Sequence, residues 1–236
     1  MKTETDDLSF GFDDFSVDNL DDFSVDLSTD VEFETRYIKP RIRKEIKKSQ
    51  LKRKNATDLA VELGCEQGLR AFVIVDGTFE FGDFIEEWII ANKLFIQDLT
   101  ISTLSCSQEN VDSLHRLQSW KIVKNVNLMV SAYFYANERR NLVPYIYDHL
   151  DNDNFTFAVS SSHCKTILLK THTGRKFVIH GSANLRSSSN LEQFCLEESE
   201  ELYDFTFTYQ QRIMELYATI DRPVRRTKLW KAVTED

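Results

Sequence analysis

The chain has 236 residues, 42% of them hydrophobic and 12% aromatic, which suits one globular domain and excludes a chain that is disordered throughout. No apolar run approaches the roughly 20 residues that cross a bilayer, and no secretory signal follows Met1, so we expect a soluble, cytoplasmic protein without a membrane partner. Spread evenly, the net charge of −9 would argue against a polyanionic partner such as DNA or RNA.

The charge is not spread evenly. Residues 1–34 carry twelve acids and one lysine, residues 35–54 carry ten basic residues and one acid, and the rest of the chain has a net charge of −7. Without residues 1–34 the net charge is +2. This pattern divides the chain into an acidic tail (1–34), a basic connector (35–54), a folded body (55–221) and a basic C-terminal appendage (222–236).

The acidic tail contains an imperfect repeat, in which residues 13–18 (DDFSVD) return as residues 21–26. Its like charges repel and its apolar residues are too few to build a core, so we expect disorder. The alternative is a docking segment, whose phenylalanines bind a protein partner or which folds back on the basic connector.

The basic connector has Ile42, Ile46 and Leu51 at a spacing that suits a short helix with exposed lysines. Ten cations in twenty residues favour contact with phosphates, and a merely solvated helix is the alternative. The C-terminal appendage is a second candidate for phosphate contact or a solvated end.

The body alternates strands and helices. Apolar periodicity predicts helices at 55–63, 82–92, 110–120, 137–150 and 200–220, and strands at 70–76, 94–104, 126–134, 155–159, 165–169, 176–180 and 191–196. The last helix should bury a stripe formed by Leu202, Phe205, Tyr209, Ile213, Leu216 and Ile220. The fold class expected is α/β, a mixed and mostly parallel sheet sandwiched by helices, with ligands at the carboxyl ends of the strands.

A stretch without acidic residues marks the candidate site. Between Ser161 and Asn190 there are five cations and no carboxylate, which predicts an anion site. Its cations are Lys165, Lys170, Arg175, Lys176 and Arg186. His163 and Lys165 are two residues apart, so on a strand both side chains project from one face.

A turn of small residues follows at Gly181-Ser182-Ala183-Asn184, and Asn190 and Glu192 come after it. The amides, the hydroxyl and the carboxamide of this turn are all donors for phosphate oxygens. The region therefore combines a nucleophile, fixed positive charge and hydrogen-bond donors.

These residues resemble the phospholipase D superfamily, whose signature is His-x-Lys, usually an aspartate, Gly-Ser-x-Asn or Gly-Ser-x-x-Asn, and Asn-x-Glu. The match is carried by His163-Cys164-Lys165, residues 181–184 and Asn190-Leu191-Glu192. It implies an α-β-α sandwich from about residue 68 onward, similar to the small dimeric nucleases of that superfamily that occur in phages and mobile elements. Two features depart from the pattern: Lys170 stands where the aspartate is usual, and the stretch from Lys165 to Gly181 is long.

The resemblance implies roles for these residues. His163 would attack phosphorus, Lys165 and Asn184 would stabilise the equatorial oxygens, Ser182 would assist, and Glu192 would hold the second imidazole nitrogen. Apart from the resemblance, the acid-free stretch predicts substrate binding at Gly181, Lys170, Arg186 and Asn190. No metal or other cofactor is implied, and a single His-x-Lys calls for a homodimer that supplies a second histidine as the acid.

The four cysteines form no Cys-x-x-Cys pair, so they indicate reduced thiols in a reducing compartment. They are Cys65, Cys106, Cys164 and Cys195. A metal site made of Cys164, His172 and His180 would fit no standard ligand spacing.

Three functions remain open on the sequence alone. The first is a phosphodiesterase acting on DNA or RNA, that is, a nuclease. The second is a catalytically weak or inactive nucleic-acid-binding protein with a partner-recruiting tail, which Lys170 and the tail repeat favour. The third is a lipid phosphodiesterase, which would need an interfacial apolar surface outside the predicted core.

Overall fold

A computed structural model describes residues 35–40, 46–51, 56–75, 81–186 and 190–218, all within one compact unit, Glu34–Asp236. The acidic tail, for which we expect disorder, and the basic C-terminal appendage lie outside the described residues.

Nine strands and six helices are formed by the described residues. The strands are β1 (Thr35–Pro40), β2 (Ile46–Leu51), β3 (Arg70–Val75), β4 (Ile96–Thr103), β5 (Val123–Ser131), β6 (Phe155–Ser160), β7 (Thr166–Thr171), β8 (Lys176–Gly181) and β9 (Glu192–Glu198). The helices are α1 (Ala56–Leu63), α2 (Phe81–Ala91), α3 (Gln108–Ser119), α4 (Ala132–Glu138), α5 (Leu142–Leu150) and α6 (Glu200–Tyr217).

The strands form one mixed sheet in the order β2-β1-β3-β9-β8-β7-β4-β5-β6. This confirms the expected α/β class, a mixed sheet with helices packed against it. The expectation that the sheet is mostly parallel is wrong, because among the described strands only β4–β5 and β5–β6 pair in parallel and six pairings are antiparallel. A right-handed crossover through a helix gives a parallel neighbour, whereas the hairpin β7–β8 and the return to β9 give antiparallel ones.

The two faces of the sheet pack against different helices. Along β7, Ile167 and Leu169 join the main core with the buried faces of α1, α2, α3 and α5, while Leu168 points the other way and packs with Val178 and Tyr203 of α6. This alternation is the period of two that a strand imposes on its side chains. The sheet therefore has helices on both sides, which is the sandwich that the resemblance implies.

The basic connector does not form the expected helix in its described parts. Residues 35–40 and 46–51 are the strands β1 and β2, and β1 also pairs with the outer edge of β3. A free strand edge offers unpaired backbone groups, and pairing with it overrides a weak helical spacing.

The final helix buries a different face from the one predicted. Its buried residues are Tyr203, Thr206 and Gln210, whereas Phe205 and Leu216 of the predicted stripe are 75% and 62% exposed. Lys176 also contacts this helix, with its Nζ 2.9 Å from Glu200 Oε1 and 2.8 Å from Asp204 Oδ1. Ile220, the last member of the predicted stripe, lies outside the described residues.

One helix was not predicted. The strand expected to continue to Phe134 ends at Ser131, whose Oγ accepts a hydrogen bond from Phe134 N at 3.0 Å and caps α4. A serine side chain that satisfies a free amide of the first turn favours a helix start at this point. The helix expected from residue 137 accordingly begins later, at Leu142. Among the described residues, no helix is both long enough and apolar enough to span a bilayer.

Candidate active site

The three parts of the His-x-Lys signature meet at one edge of the sheet. Lys165 directly precedes β7, Ser182 directly follows β8, and Glu192 begins β9. These strands are neighbours, with Thr166 opposite His180 and Gly181 opposite Phe194. The parallel strands β4, β5 and β6 end at the same edge, so the carboxyl-end location expected for a ligand site coincides with the signature residues.

His163 lies on an exposed loop rather than on a strand. The loop comprises residues 161–165, and β7 begins only at Thr166, so the expectation that a strand holds His163 and Lys165 on one face is wrong. The two residues are linked in another way, because Lys165 Nζ donates a hydrogen bond to the carbonyl oxygen of His163 at 3.3 Å. The loop is anchored to β4 by Ser102 Oγ, which donates to the carbonyl oxygen of Cys164 at 3.0 Å.

Ser182 is fixed against the start of β9. Its backbone N–H donates to the carbonyl oxygen of Gln193 at 2.9 Å, its Oγ accepts from Gln193 N at 3.0 Å, and the same Oγ donates to the Glu192 carboxylate. The structure thus brings Ser182 and Glu192 into direct contact. The role assigned to Glu192, holding the imidazole of His163, stays a prediction.

Asn184 ties the small-residue turn to β4. Its Oδ1 accepts from Leu104 N at 3.2 Å, and next to it Leu185 N donates to Thr103 Oγ1 at 3.2 Å. With its oxygen used in this way, the carboxamide keeps its NH₂ group as a donor. This is the group that the assigned role, contact with a phosphate oxygen, requires.

The position of Gly181 has no space for a side chain. A Cβ at this position would lie 2.1 Å from the carbonyl oxygen of Gln193 and 2.7 Å from Phe194 Cα. Both atoms belong to the backbone of β9, so neither can rotate away. The close approach of β8 and β9 therefore requires glycine directly before Ser182.

The remaining predicted binding residues are dispersed. Lys170 is opposite Asp98 and Lys176, at the far end of β7, roughly 16 Å along the strand from Lys165. Arg186 is exposed and lines a separate open cleft beside the start of α3. Asn190 is exposed just ahead of β9. The structure does not bring Lys170 to the signature edge.

The His163 loop borders an open cleft of about 450 Å³. Tyr209 and Ile213 of α6 form the opposite wall. Tyr209 Oη lies 3.4 Å from Thr166 Oγ1, and burial raises the pKa of its phenol, so the hydroxyl is protonated near neutral pH. The cleft therefore combines the imidazole of His163 with hydroxyl groups and apolar surface.

The chain is similar in structure to a phospholipase D family member. That protein, Nuc from Salmonella typhimurium, is 12% identical over 53% of this chain and 82% of its own, with a TM-score of 0.41. NucT from Helicobacter pylori is 13% identical over 64% of this chain and 98% of its own, with a TM-score of 0.47. Polyphosphate kinase from Porphyromonas gingivalis is 13% identical over 65% of this chain and 27% of its own, with a TM-score of 0.48.

No protein-family model matches the chain, and no curated protein is similar to it in sequence. At these identities and TM-scores, the likeness to solved structures assigns no role to any residue of this chain. The roles of the individual site residues stay predictions.

Ser160 was not singled out in the sequence, although it lies in the cleft beside His163. It is the last residue of β6, is 7% exposed, and its Oγ has no hydrogen-bond partner among the described residues. Ser131 is opposite it at the end of β5. The available signal was a repeated pattern, because β4, β5 and β6 all end in hydroxyl residues at the edge where a ligand site is expected.

Proposed function

We propose that the chain is a metal-independent phosphodiesterase that cleaves DNA or RNA through a phosphohistidine at His163, in a site shared by two copies of the chain. The observation that supports it most is the convergence of the His163 loop, Lys165 and the Gly181–Asn184 turn at one edge of the sheet. Phosphoryl transfer requires a positioned nucleophile and positive charge around three oxygens rather than a complex covalent apparatus. These residues provide both.

The reaction has two steps. An imidazole nitrogen of His163 attacks phosphorus, the bond to the leaving oxygen breaks, and that oxygen takes a proton from a second acid. Water then attacks the phosphohistidine and gives its proton to the acid that was deprotonated in the first step, while the nitrogen–phosphorus bond breaks to return the imidazole. Lys165 and the Asn184 NH₂ group stabilise the equatorial oxygens in both steps, while Ser182 keeps the turn in place through Glu192 and Gln193.

The second acid is the reason for proposing a dimer. Among the described residues, His163 is the one histidine that lines this cleft, so its counterpart in a second copy is the candidate proton donor. Helix α6 forms the opposite wall of the cleft. Phe205 and Leu216 are exposed on this helix. This exposed surface of α6 is where we propose that the second copy packs.

The test is cleavage of supercoiled plasmid and of labelled single-stranded RNA in excess chelator. We expect His163→Ala to lower the rate at least about a thousandfold, since it removes the nucleophile. Acid quenching with labelled substrate should trap a covalent adduct in the unsubstituted protein and none in His163→Ala. The matched control is His172→Ala, an exposed histidine beyond the far end of β7, which should keep its activity.

Two outcomes would contradict this mechanism. Cleavage that survives in His163→Ala would remove this histidine from the chemistry. A protein that sediments as a monomer at full activity would remove the second copy. Mixing His163→Ala with an excess of unsubstituted chains should lower the activity of each mixed dimer, because both histidines are used in one turnover.

A second candidate function is binding of nucleic acid without cleavage. The contact between Ser182 and the Glu192 carboxylate favours it, because that carboxylate was assigned to His163. Lys170 in the place of the usual aspartate favours it as well. In this case a gel shift should weaken steeply with salt, by about one power of ten in affinity per tenfold salt for each phosphate contact, and prolonged incubation should give no product. The acidic tail would then recruit a protein partner.

A further inference from the structure

Three metal-ligating side chains meet on β8 and β9, apart from the groups assigned to the phosphodiesterase reaction. His180 and Cys195 are directly opposite each other in the register of the two strands, and Glu197 follows two residues later on the same face. One ligand atom from each residue, an imidazole nitrogen, the thiol sulfur and a carboxylate oxygen, lies within 4.8 Å of the other two. His180 Nε2 is 3.8 Å from Glu197 Oε1.

The surroundings orient this cluster. Arg70 is opposite Glu197 on β3, and its Nε lies 3.2 Å from Glu197 Oε2. The other carboxylate oxygen, Oε1, is the one directed at His180. An outer hydrogen-bond partner that fixes one oxygen while the other remains available is the arrangement that supports a ligating carboxylate in metal sites.

The three side chains of the cluster also differ in how far each is exposed to solvent. Cys195 is 5% exposed and the Glu197 side chain 16%, whereas the His180 side chain is 45% exposed. A cation can therefore approach past the imidazole and lie against a buried sulfur. Such a position shields the sulfur side from water, and the exposed imidazole side faces solvent.

We propose that His180, Cys195 and Glu197 form a binding site for a divalent transition-metal ion of the zinc class, with a fourth position open to water. Imidazole and thiolate select zinc, cobalt, nickel or copper over magnesium and calcium, which prefer oxygen ligands. Three protein ligands and one open position are a common arrangement for zinc.

The distances suit this assignment after a small movement of the side chains. With metal–nitrogen and metal–oxygen bonds near 2.0 Å and metal–sulfur bonds near 2.3 Å, tetrahedral ligand atoms lie roughly 3.3–3.5 Å apart. The 3.8 Å between His180 Nε2 and Glu197 Oε1 must shorten by roughly 0.5 Å, and a separation at the upper bound of 4.8 Å by roughly 1.3 Å.

Charge balance is also satisfied on binding. When the metal binds, the sulfur coordinates as thiolate and its proton passes to solvent. Thiolate and carboxylate together then neutralise the dication, so the nearby guanidinium of Arg70 meets no net positive charge.

The experiment is a titration of the metal-free full-length protein with Co²⁺, followed by displacement with Zn²⁺. We expect one equivalent of cobalt per chain, with the visible absorption of a tetrahedral site and a sulfur-to-cobalt charge-transfer band, both removed by zinc. His180→Gln and Cys195→Ala should lower the affinity at least tenfold and weaken the charge-transfer band. The matched controls His172→Gln and Cys164→Ala, which change the same residue types outside the cluster, should bind as the unsubstituted protein does.

The proposal is overturned if no equivalent binds, if His180→Gln binds as tightly as the unsubstituted protein, or if binding disappears in Cys164→Ala. If Cys195→Ala lacks the far-ultraviolet dichroism of the folded protein, His180→Gln decides, because its partly exposed side chain can be replaced without opening the core. The readout is absorption of the metal complex, so it is independent of nuclease activity. Conversely, chelator-resistant cleavage in His180→Gln would support the phosphodiesterase proposal whatever the outcome at the metal site.

Discussion

Gly181→Ala tests whether the turn of the signature depends on space between two strands. The new Cβ would lie 2.1 Å from the carbonyl oxygen of Gln193, so β8 and β9 must separate by roughly an ångström to restore ordinary contact. That movement stretches the two hydrogen bonds that join Ser182 to Gln193, which are 2.9 and 3.0 Å long. The substitution therefore acts on the strand pairing and on the position of Ser182 together.

The magnitude follows from three contributions. Overpacking costs about 1–3 kcal/mol, and each weakened hydrogen bond costs about 1 kcal/mol. Alanine also restricts the unfolded chain, which raises the free energy of unfolding by about 0.4–1 kcal/mol. We therefore expect Gly181→Ala to lower the free energy of unfolding by about 2–4 kcal/mol.

Gly174→Ala is the matched control, because it isolates the effect of backbone conformation. Gly174 has a φ of 86°, and a Cβ added there would meet no atom of the described residues within 4 Å, so the substitution causes strain but no clash. The left-handed conformation costs an alanine about 1–2 kcal/mol, partly offset in the unfolded chain, and we expect a net loss of about 1 kcal/mol.

Urea unfolding followed by tryptophan fluorescence measures both changes, and amide hydrogen exchange reports on the pairing itself. We expect faster exchange at Ser182 and Gln193 in Gly181→Ala and no change there in Gly174→Ala. If Gly181→Ala costs no more than Gly174→Ala, the clash with β9 is not what requires glycine before Ser182, and the reasoning is refuted.

Two further predictions concern single polar groups. The hydrogen bond from Arg175 holds the pKa of Glu198 below its ordinary value; the Gly68 amide lowers this pKa further, and burial opposes both. The ionised Glu198 carboxylate therefore stabilises the fold fully above about pH 4.3, and this stabilisation is lost as the pH falls through the lowered pKa. Glu198→Gln should cost about 1–3 kcal/mol at pH 7 and flatten the acid limb of a urea-unfolding series; an unchanged limb would contradict this. Ser160→Ala should change stability by no more than about 0.5 kcal/mol, because its buried Oγ has no partner among the described residues, whereas Ser131→Ala should cost about 1 kcal/mol by removing the cap of α4. Thermal unfolding of the two serine variants compares them directly, and an equal loss in both would show that Ser160 is hydrogen-bonded in solution.

Local patterns were sufficient to find most elements of the body. The apolar positions of β3 at Ala71, Val73 and Val75 are all buried, as a strand with one face in the core requires. Which strand lies beside which was not available from such patterns, because β3 pairs with β9, more than a hundred residues away. Pairing between distant segments is decided by the whole sheet.

The same limit explains what was missed around the site. His180 and Cys195 are fifteen residues apart, a spacing that indicates no ligand set, and only the β8–β9 register brings them together. The buried face of α6 was misassigned for a related reason. Its apolar residues have helical spacing on more than one side, and the contact of Tyr203 with Leu168 and Val178 selects the face that is buried.

The antiparallel pairings of β7, β8 and β9 are what assemble the signature edge. Because β7 runs opposite to β4, its first residue lies where β4 ends, with Thr166 opposite Ser102. The hairpin then returns β8 to the same edge, and β9 begins there, with its Phe194 opposite Gly181. A parallel β7 would have carried the whole hairpin, Lys165 and the small-residue turn together, to the other end of the sheet, roughly 20 Å from the ends of β4, β5 and β6. The order of the signature along the chain, with one part before a strand, one after the next and one at the start of a third, is therefore itself evidence for antiparallel strands.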